Sequence, residues 1–301
     1  MAIATPRDWE GTLKSWGKPP GDAQRQKCEH AETAIRNAVA AANPLRERNT
    51  VVFPQGSYRN RTNVRIESDV DICILCKDTF YYKLPEGAVP SDFDIIPGTY
   101  FYTEYKNAVE SALRAYFGSQ HVSRESSKAF DVHENSYRVD ADAIACFEYR
   151  CYHEDGRYLS GTCFFPDGQS NYTVNWPDQN YQNGVARNDE TGRRFKSMVR
   201  CLKCLRNEML DKGYAEPEPI ASYLIECLVW NAPKEAFGHD SCMADIRYVL
   251  ADLFNHTRTD EDCRDWGEIN ELKYLFRTVQ PWTRVQVNSF LDAAWDYIGF
   301  E

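Results

Sequence analysis

No stretch of this chain is apolar over enough residues to cross a bilayer. Its most apolar window, Tyr223–Trp230, contains Glu226 and falls far short of the roughly 20 residues that a spanning helix needs. Met1–Pro20 carries charges and prolines but no apolar segment fit for a signal peptide. Internal repeats, low-complexity tracts and long runs of one charge are also missing, which argues against an extensively disordered chain. Nor is there an excess of base: 35 Lys and Arg stand against 45 Asp and Glu, a net charge of −10. A protein that grips a long nucleic acid usually neutralises many phosphates with a basic surface. The balance therefore points to a small anionic ligand in a local basic pocket, and away from a long nucleic acid or a membrane. Thiols, by contrast, are plentiful. Eleven cysteines without a secretory signal read as reduced side chains of a cytoplasmic protein. Cys146, Cys151, His153 and Cys163 come nearest to a metal set, but four tetrahedrally converging ligands are needed for structural zinc, and none is expected here. Cys73 with Cys76, and Cys201 with Cys204, read as core filling.

The 301 residues are enough for two lobes. An alanine-rich helix is predicted over residues 22–43, ending before Pro44. A β-branched strand follows over Thr50–Pro54, then a turn over residues 56–61 that opens a short helix. A second strand covers Asp69–Leu75. A loop with prolines and glycines spans residues 84–98 and a helix runs from about 100 to 117. Residues 121–165 read as strands, with Asp155-Gly156 as a hairpin signal because a tight turn needs positive φ at the glycine. From about Thr191 the pattern becomes helical: 191–211, 218–231, 241–255 and 283–298. A β-rich first half and a helical second half make an α+β protein of two lobes with a cleft between them.

The chemistry concentrates in two short segments, Phe53-Pro54-Gln55-Gly56-Ser57-Tyr58 and Ser68-Asp69-Val70-Asp71-Ile72. Residues two apart on a strand share a face, so Asp69 and Asp71 project together. Two such carboxylates repel unless a divalent cation neutralises them. Oxygen-only ligands suit Mg²⁺, which commonly binds one or two carboxylates plus substrate phosphates. Gly56 and Ser57 close the preceding strand, where glycine lets backbone approach a phosphate and the N–H groups of an opening helix can hold it. A bare Asp-x-Asp carries little weight: Asp92/Asp94 sit in a proline-rich loop and read as solvated, while Asp140/Asp142 begin another apolar strand. Farther on, Phe195, Met198, Leu202, Leu205 and Met209 make an apolar helical stripe, flanked by a basic one of Arg193, Lys196, Arg200 and Lys203.

The run 56–71, with residues 139–147, Asn175-Trp176-Pro177, Arg194-Phe195-Lys196 and Ser222-Tyr223, resembles the bacterial cGAS/DncV-like nucleotidyltransferases of the DNA polymerase β superfamily, over about residues 50–230. The resemblance implies a nucleotidyltransferase core lobe with its spine helix over residues 1–177 and a helical lobe over 178–301 that closes the cleft. It implies Asp69, Asp71 and a third carboxylate as catalytic metal ligands. Asp142 fits the third place, with Asp140 the competitor; Ala145 departs from the family's usual proline. Two Mg²⁺ ions about 3.5–4 Å apart would serve in-line attack of a ribose hydroxyl on the α-phosphorus, with pyrophosphate leaving. Gln55, Gly56, Ser57, Lys203, Ser222 and Lys196 are the implied nucleotide contacts, and Tyr223 the stacking platform for a base. The implied product is a cyclic di- or trinucleotide second messenger in antiphage signalling. Nucleoside triphosphates are the implied partners, alongside proteins of a defence operon, and the expected state is a monomer. A linear oligoadenylate synthase, an adenylyltransferase acting on a protein or drug, and a silent nucleotide-binding scaffold are the alternatives.

Overall fold

The computed structural model describes residues 7–64, 69–124, 126–277 and 280–300. Arg65–Ser68, in the middle of the diagnostic run, lie outside the described residues. The chain divides into two compact units, one drawn from Gly21–Arg59 and Glu67–Asp178, the other from Met1–Pro20, Asn60–Ile66 and Gln179–Glu301. No helix among the described residues is long and apolar enough to cross a membrane.

The first unit is built on a seven-stranded sheet. Its strands are β1 (Thr50–Pro54), β2 (Val70–Lys83), β3 (Val122–Ser123), β4 (Phe130–Val132), β5 (Ala141–Tyr152), β6 (Tyr158–Phe164) and β7 (Thr173–Asn175). β5 is the hub. It pairs in parallel with β2 and antiparallel with both β4 and β6, while β1 flanks β2, β3 flanks β4 and β7 flanks β6. Four of the helices belong here or at its edge: α2 (Asp22–Ala41), α3 (Asn43–Arg46), α4 (Gly56–Asn60) and α5 (Tyr102–Phe117), numbered after α1 (Trp9–Trp16) of the other unit. On α2 the buried residues Cys28, Ala31, Ile35, Ala38 and Val39 fall at helical spacing, so one stripe faces the core. α5 brings two buried tyrosines whose hydroxyls donate to strand carbonyls, Tyr102 to Ala145 at 2.9 Å and Tyr105 to Ile74 at 2.7 Å. Such bonds keep buried hydroxyls satisfied and fix the helix in register on β2 and β5.

The turn at Asp167 is pinned electrostatically. Arg124 donates to both its carboxylate oxygens, at 2.7 and 2.6 Å, and the buried Lys106 adds a third bond at 2.8 Å. The Arg124 hydrogen bonds, helped by Lys106 and opposed by partial burial, pull the Asp167 carboxyl from 3.8 down to about 2. A depressed folded-state value stabilises the fold fully above the unfolded value and is lost as pH falls through the folded one. Asp167→Asn is therefore expected to melt lower at pH 7, on the order of 2–4 °C because the carboxylate is partly exposed. In thermal melts the difference from wild type shrinks as pH falls from about 4 to about 2.

The second unit is helical: α1, then α6 (Pro177–Glu190), α7 (Arg194–Asp211), α8 (Ser222–Asn231), α9 (Cys242–His256) and α10 (Arg284–Ile298). Its core gathers Phe195, Leu202, Leu205, Leu224, Leu228, Val249, Leu253 and Phe290. The expected apolar stripe of α7 is this buried face. Glu10 on α1 accepts hydrogen bonds from the backbone N–H groups of Cys242 and Met243 at 3.1 and 2.9 Å, satisfying two of the free donors at the start of α9. Arg7 pairs with Glu208, which also accepts from the Tyr297 hydroxyl at 2.6 Å.

Several elements differ from the sequence reading. The helical region starts at Pro177 rather than near 191, since α6 is polar and carries Gly184, so it shows little apolar periodicity. α1 and β7 were not anticipated; one has 8 residues and the other 3, too few for a period to register. β2 runs on to Lys83 instead of stopping at Leu75, because the polar Lys77-Asp78-Thr79 break is a shift of register between Cys76 and Phe80 and not an end.

Candidate active site

β1 delivers the chain to Gln55, whose backbone N–H donates to the Asp71 carbonyl at 2.8 Å. Gly56 follows with φ of +63°, in the left-handed region. A Cβ at Gly56 would lie 2.0 Å from Asp71 Oδ2, so the glycine lets the turn close over that carboxylate. Ser57 is the second residue of α4 and is half-buried.

The parallel pairing of β2 with β5 puts Asp71 directly beside Asp142, with Val70 beside Ala141. Asp69, just ahead of β2, is exposed. Burial pushes the Asp142 carboxyl from 3.8 up to about 7, and repulsion from Asp71, Asp131 and Asp69 adds to it. Asp131, which the sequence reading passed over, faces Asp142 from β4 and accepts a hydrogen bond from Ser123 at 3.1 Å. Its signal was a lone polar residue between the buried Phe130 and Val132. Asp140 is engaged otherwise. Its carboxylate accepts from the Glu134 N–H at 2.6 Å, closing the loop ahead of β5.

In the helical unit, Lys203 is fully buried on α7 and donates to Glu226 of α8 at 2.9 Å. Lys196, one face along α7, is also buried; desolvation lowers its pKa, and its ammonium lies 5.7 Å from the Tyr181 ring centroid. Ser222 opens α8 and lies 3.2 Å from Arg206 Nη2, which donates to its hydroxyl. The half-buried Tyr223 has its hydroxyl 3.2 Å from Asn180 Oδ1 and 3.1 Å from Glu268 Oε2, and accepts from Asn270 at 3.3 Å. These contacts hold the hydroxyl end of the ring in place. Burial above all drives the Tyr223 phenol well above its ordinary range, so it stays neutral. The sheet unit thus holds Gln55, Gly56, Ser57, Asp69, Asp71 and Asp142, and the helical unit holds Lys196, Lys203, Ser222 and Tyr223.

The donor set fits a hard divalent cation. Asp71 and Asp142 are register neighbours, and their mutual repulsion is what a cation would relieve. Among the described residues no three carboxylate, thiol or imidazole side chains are gathered into a ready cage.

A parallel pair of strands carries adjacent aspartates beneath a Gly-Ser turn on an α+β scaffold, and comparison with known proteins shows the family. The family model for the cGAS/DncV-like nucleotidyltransferase C-terminal helical domain matches residues 182–299. A cyclic dipyrimidine nucleotide synthase CdnE of Legionella pneumophila is 44% identical over 97% of this chain and 98% of its own. Another of the same name from Cecembia lonarensis is 40% identical over 97% of this chain and 98% of its own. The solved structure of the Elizabethkingia meningoseptica CdnE cyclic dinucleotide synthase with GTP and Apcpp superposes with a TM-score of 0.82 at 31% identity, covering 98% of this chain and 100% of that one. The chain belongs to the bacterial cGAS/DncV-like nucleotidyltransferases, and it is an enzyme of that class.

Proposed function

We propose that this protein joins two pyrimidine nucleoside triphosphates into a cyclic dinucleotide through two successive nucleotidyl transfers, each releasing pyrophosphate. The observation that carries the reading is the register of Asp71 with Asp142 beneath the Gly56 turn. The names borne by the Legionella and Cecembia relatives support pyrimidines as the bases.

Asp69, Asp71 and Asp142 would hold two Mg²⁺ ions, which when bound supply charge neutralisation and a lowered pKa for the attacking ribose hydroxyl. Gln55 ties the turn to β2, and Gly56 and Ser57 offer backbone and hydroxyl to the triphosphate. We assign Ser222 to a phosphate oxygen, Lys196 and Lys203 to positive charge on α7, and Tyr223 to the stacking of a base on its ring. Most of the catalysis is then positioning and electrostatics. In the cell we place the enzyme in the cytoplasm as a monomer acting with proteins of an antiphage defence operon.

The test is an incubation of the protein with Mg²⁺ and an equal mixture of the four nucleoside triphosphates, one at a time α-³²P-labelled, followed by phosphatase. A phosphatase-resistant product labelled from UTP or CTP is expected. Label in a purine-only product would overturn the base assignment; products that lose terminal phosphate would overturn ring closure.

A further inference from the structure

We infer that Glu268 is a positioning residue for Tyr223: its buried carboxylate holds the hydroxyl end of the ring on which a base is to stack, and so governs how tightly the nucleoside triphosphate binds. The inference rests on the assignment of Tyr223 to base stacking made above, and every residue it uses belongs to the helical unit. Glu268 is 5% exposed, and three neutral side chains donate to its carboxylate. The Tyr223 hydroxyl reaches Oε2 at 3.1 Å, the Asn270 amide reaches the same oxygen at 2.7 Å, and the Gln280 amide reaches Oε1 at 3.0 Å. A carboxylate is a stronger acceptor than the amide oxygen of Asn180, which faces the same hydroxyl from 3.2 Å. Asn270 closes the triangle by donating to the Tyr223 oxygen at 3.3 Å.

The anchor is itself fixed by bonds that do not involve Tyr223. Gly267, next to Glu268, is clamped by Asn231 at the end of α8: its carbonyl accepts from Nδ2 at 2.8 Å and its N–H donates to Oδ1 at 3.2 Å. Asn183 on α6 donates to the Ile269 carbonyl at 2.7 Å, and the Glu268 N–H donates to the Lys273 carbonyl at 2.9 Å, closing the turn. α8 therefore meets this turn twice, through Tyr223 in its first turn and through Asn231 at its last residue. A buried carboxylate is costly unless its hydrogen bonds are filled, which holds the three donors around it. The ring is thus tied to a fixed point and not to a side chain free to follow it. A ring already held in place loses less freedom when a base settles on it, which strengthens binding.

Tyr223→Phe keeps the ring and removes the hydroxyl, Glu268→Gln keeps the shape and removes the charge, and a double variant combines the two. Glu268→Asp keeps the charge but draws it back from the hydroxyl, and Tyr223→Leu removes the ring. Steady-state kinetics and thermal melts are measured on all five. Tyr223→Phe, Glu268→Gln and Glu268→Asp are each expected to raise KM for the nucleoside triphosphate about fivefold, with kcat within about twofold of wild type. The double variant is expected to raise KM no further than either single change, since both remove one link. Tyr223→Leu is expected to raise KM about twentyfold. A wild-type KM in both Glu268 variants, whatever their melting temperatures, would overturn the inference, as would an effect of Glu268→Gln that multiplies with that of Tyr223→Phe; the raised KM of Tyr223→Leu would then leave the stacking role standing. A wild-type KM in Tyr223→Leu would overturn the stacking role and the inference together.

Discussion

Asp142→Asn is expected to lower product formation about a thousandfold, while Asp140→Asn keeps activity within about threefold of wild type. The two aspartates lie two residues apart at the head of β5, and sequence alone leaves them in competition. Geometry separates them. Asp142 is the register neighbour of Asp71, and it feels the charges of Asp71, Asp131 and Asp69 on top of its own burial. A carboxylate in that position relieves its repulsion only by taking a proton or a cation, and an amide can do neither. Asp140 spends its carboxylate on the Glu134 N–H. Replacing it by asparagine keeps an oxygen for that bond, so the loop ahead of β5 survives. The measurement is kcat/KM for cyclic product, with far-ultraviolet circular dichroism and a thermal melt to show that both variants are folded.

Gly56→Ala carries the second largest expected effect. Alanine at φ of +63° costs on the order of 1–2 kcal/mol in backbone strain. The larger consequence is steric: the new Cβ would stand 2.0 Å from Asp71 Oδ2, so the carboxylate or the turn must move. A displacement near 1 Å at the reacting centre costs about a hundredfold in rate. We expect kcat/KM to fall on the order of a hundredfold while the protein remains folded, with a melting temperature lowered by only a few degrees. Gly87→Ala is the comparison, since its φ of +79° carries similar strain but a Cβ there meets nothing within 4 Å. If both variants lose activity equally, strain and not the clash with Asp71 is responsible. If only Gly56→Ala loses it, the turn is placed by that close approach.

Much of the sheet unit was legible because strand alternation is a local property. Asp69 and Asp71 could be assigned to one face, and Gly56-Ser57 to the end of the preceding strand, from spacing alone. The likeness of residues 56–71 to a known family then offered what spacing could not, Asp142 as candidate third carboxylate and candidate contacts on the helical unit. Asp131 escaped because β4 has 3 residues and no motif; only pairing with β5 reveals it as the neighbour of Asp142. The Lys203–Glu226 pair was equally hidden. Lys203 read as one of four cations on a basic stripe, yet the structure buries it completely, and nothing local to α7 announces a carboxylate 23 residues onward. Glu226 itself appeared only as the flaw in the most apolar window of the chain. A lone charge in such a window is better read as a demand for a buried partner. α6 was missed for the opposite reason, being too polar to show a period at all.

The central claim, that one site performs two nucleotidyl transfers and closes a ring, is tested most directly by the stoichiometry of pyrophosphate release. Wild-type protein would be incubated with Mg²⁺ and labelled pyrimidine triphosphates, and pyrophosphate and phosphatase-resistant product counted together. Ring closure of a dinucleotide predicts about two pyrophosphates for each product molecule, since every phosphodiester bond expels one. One pyrophosphate per dinucleotide, with a terminal phosphate that phosphatase removes, would mean that synthesis stops at a linear product and would contradict the account.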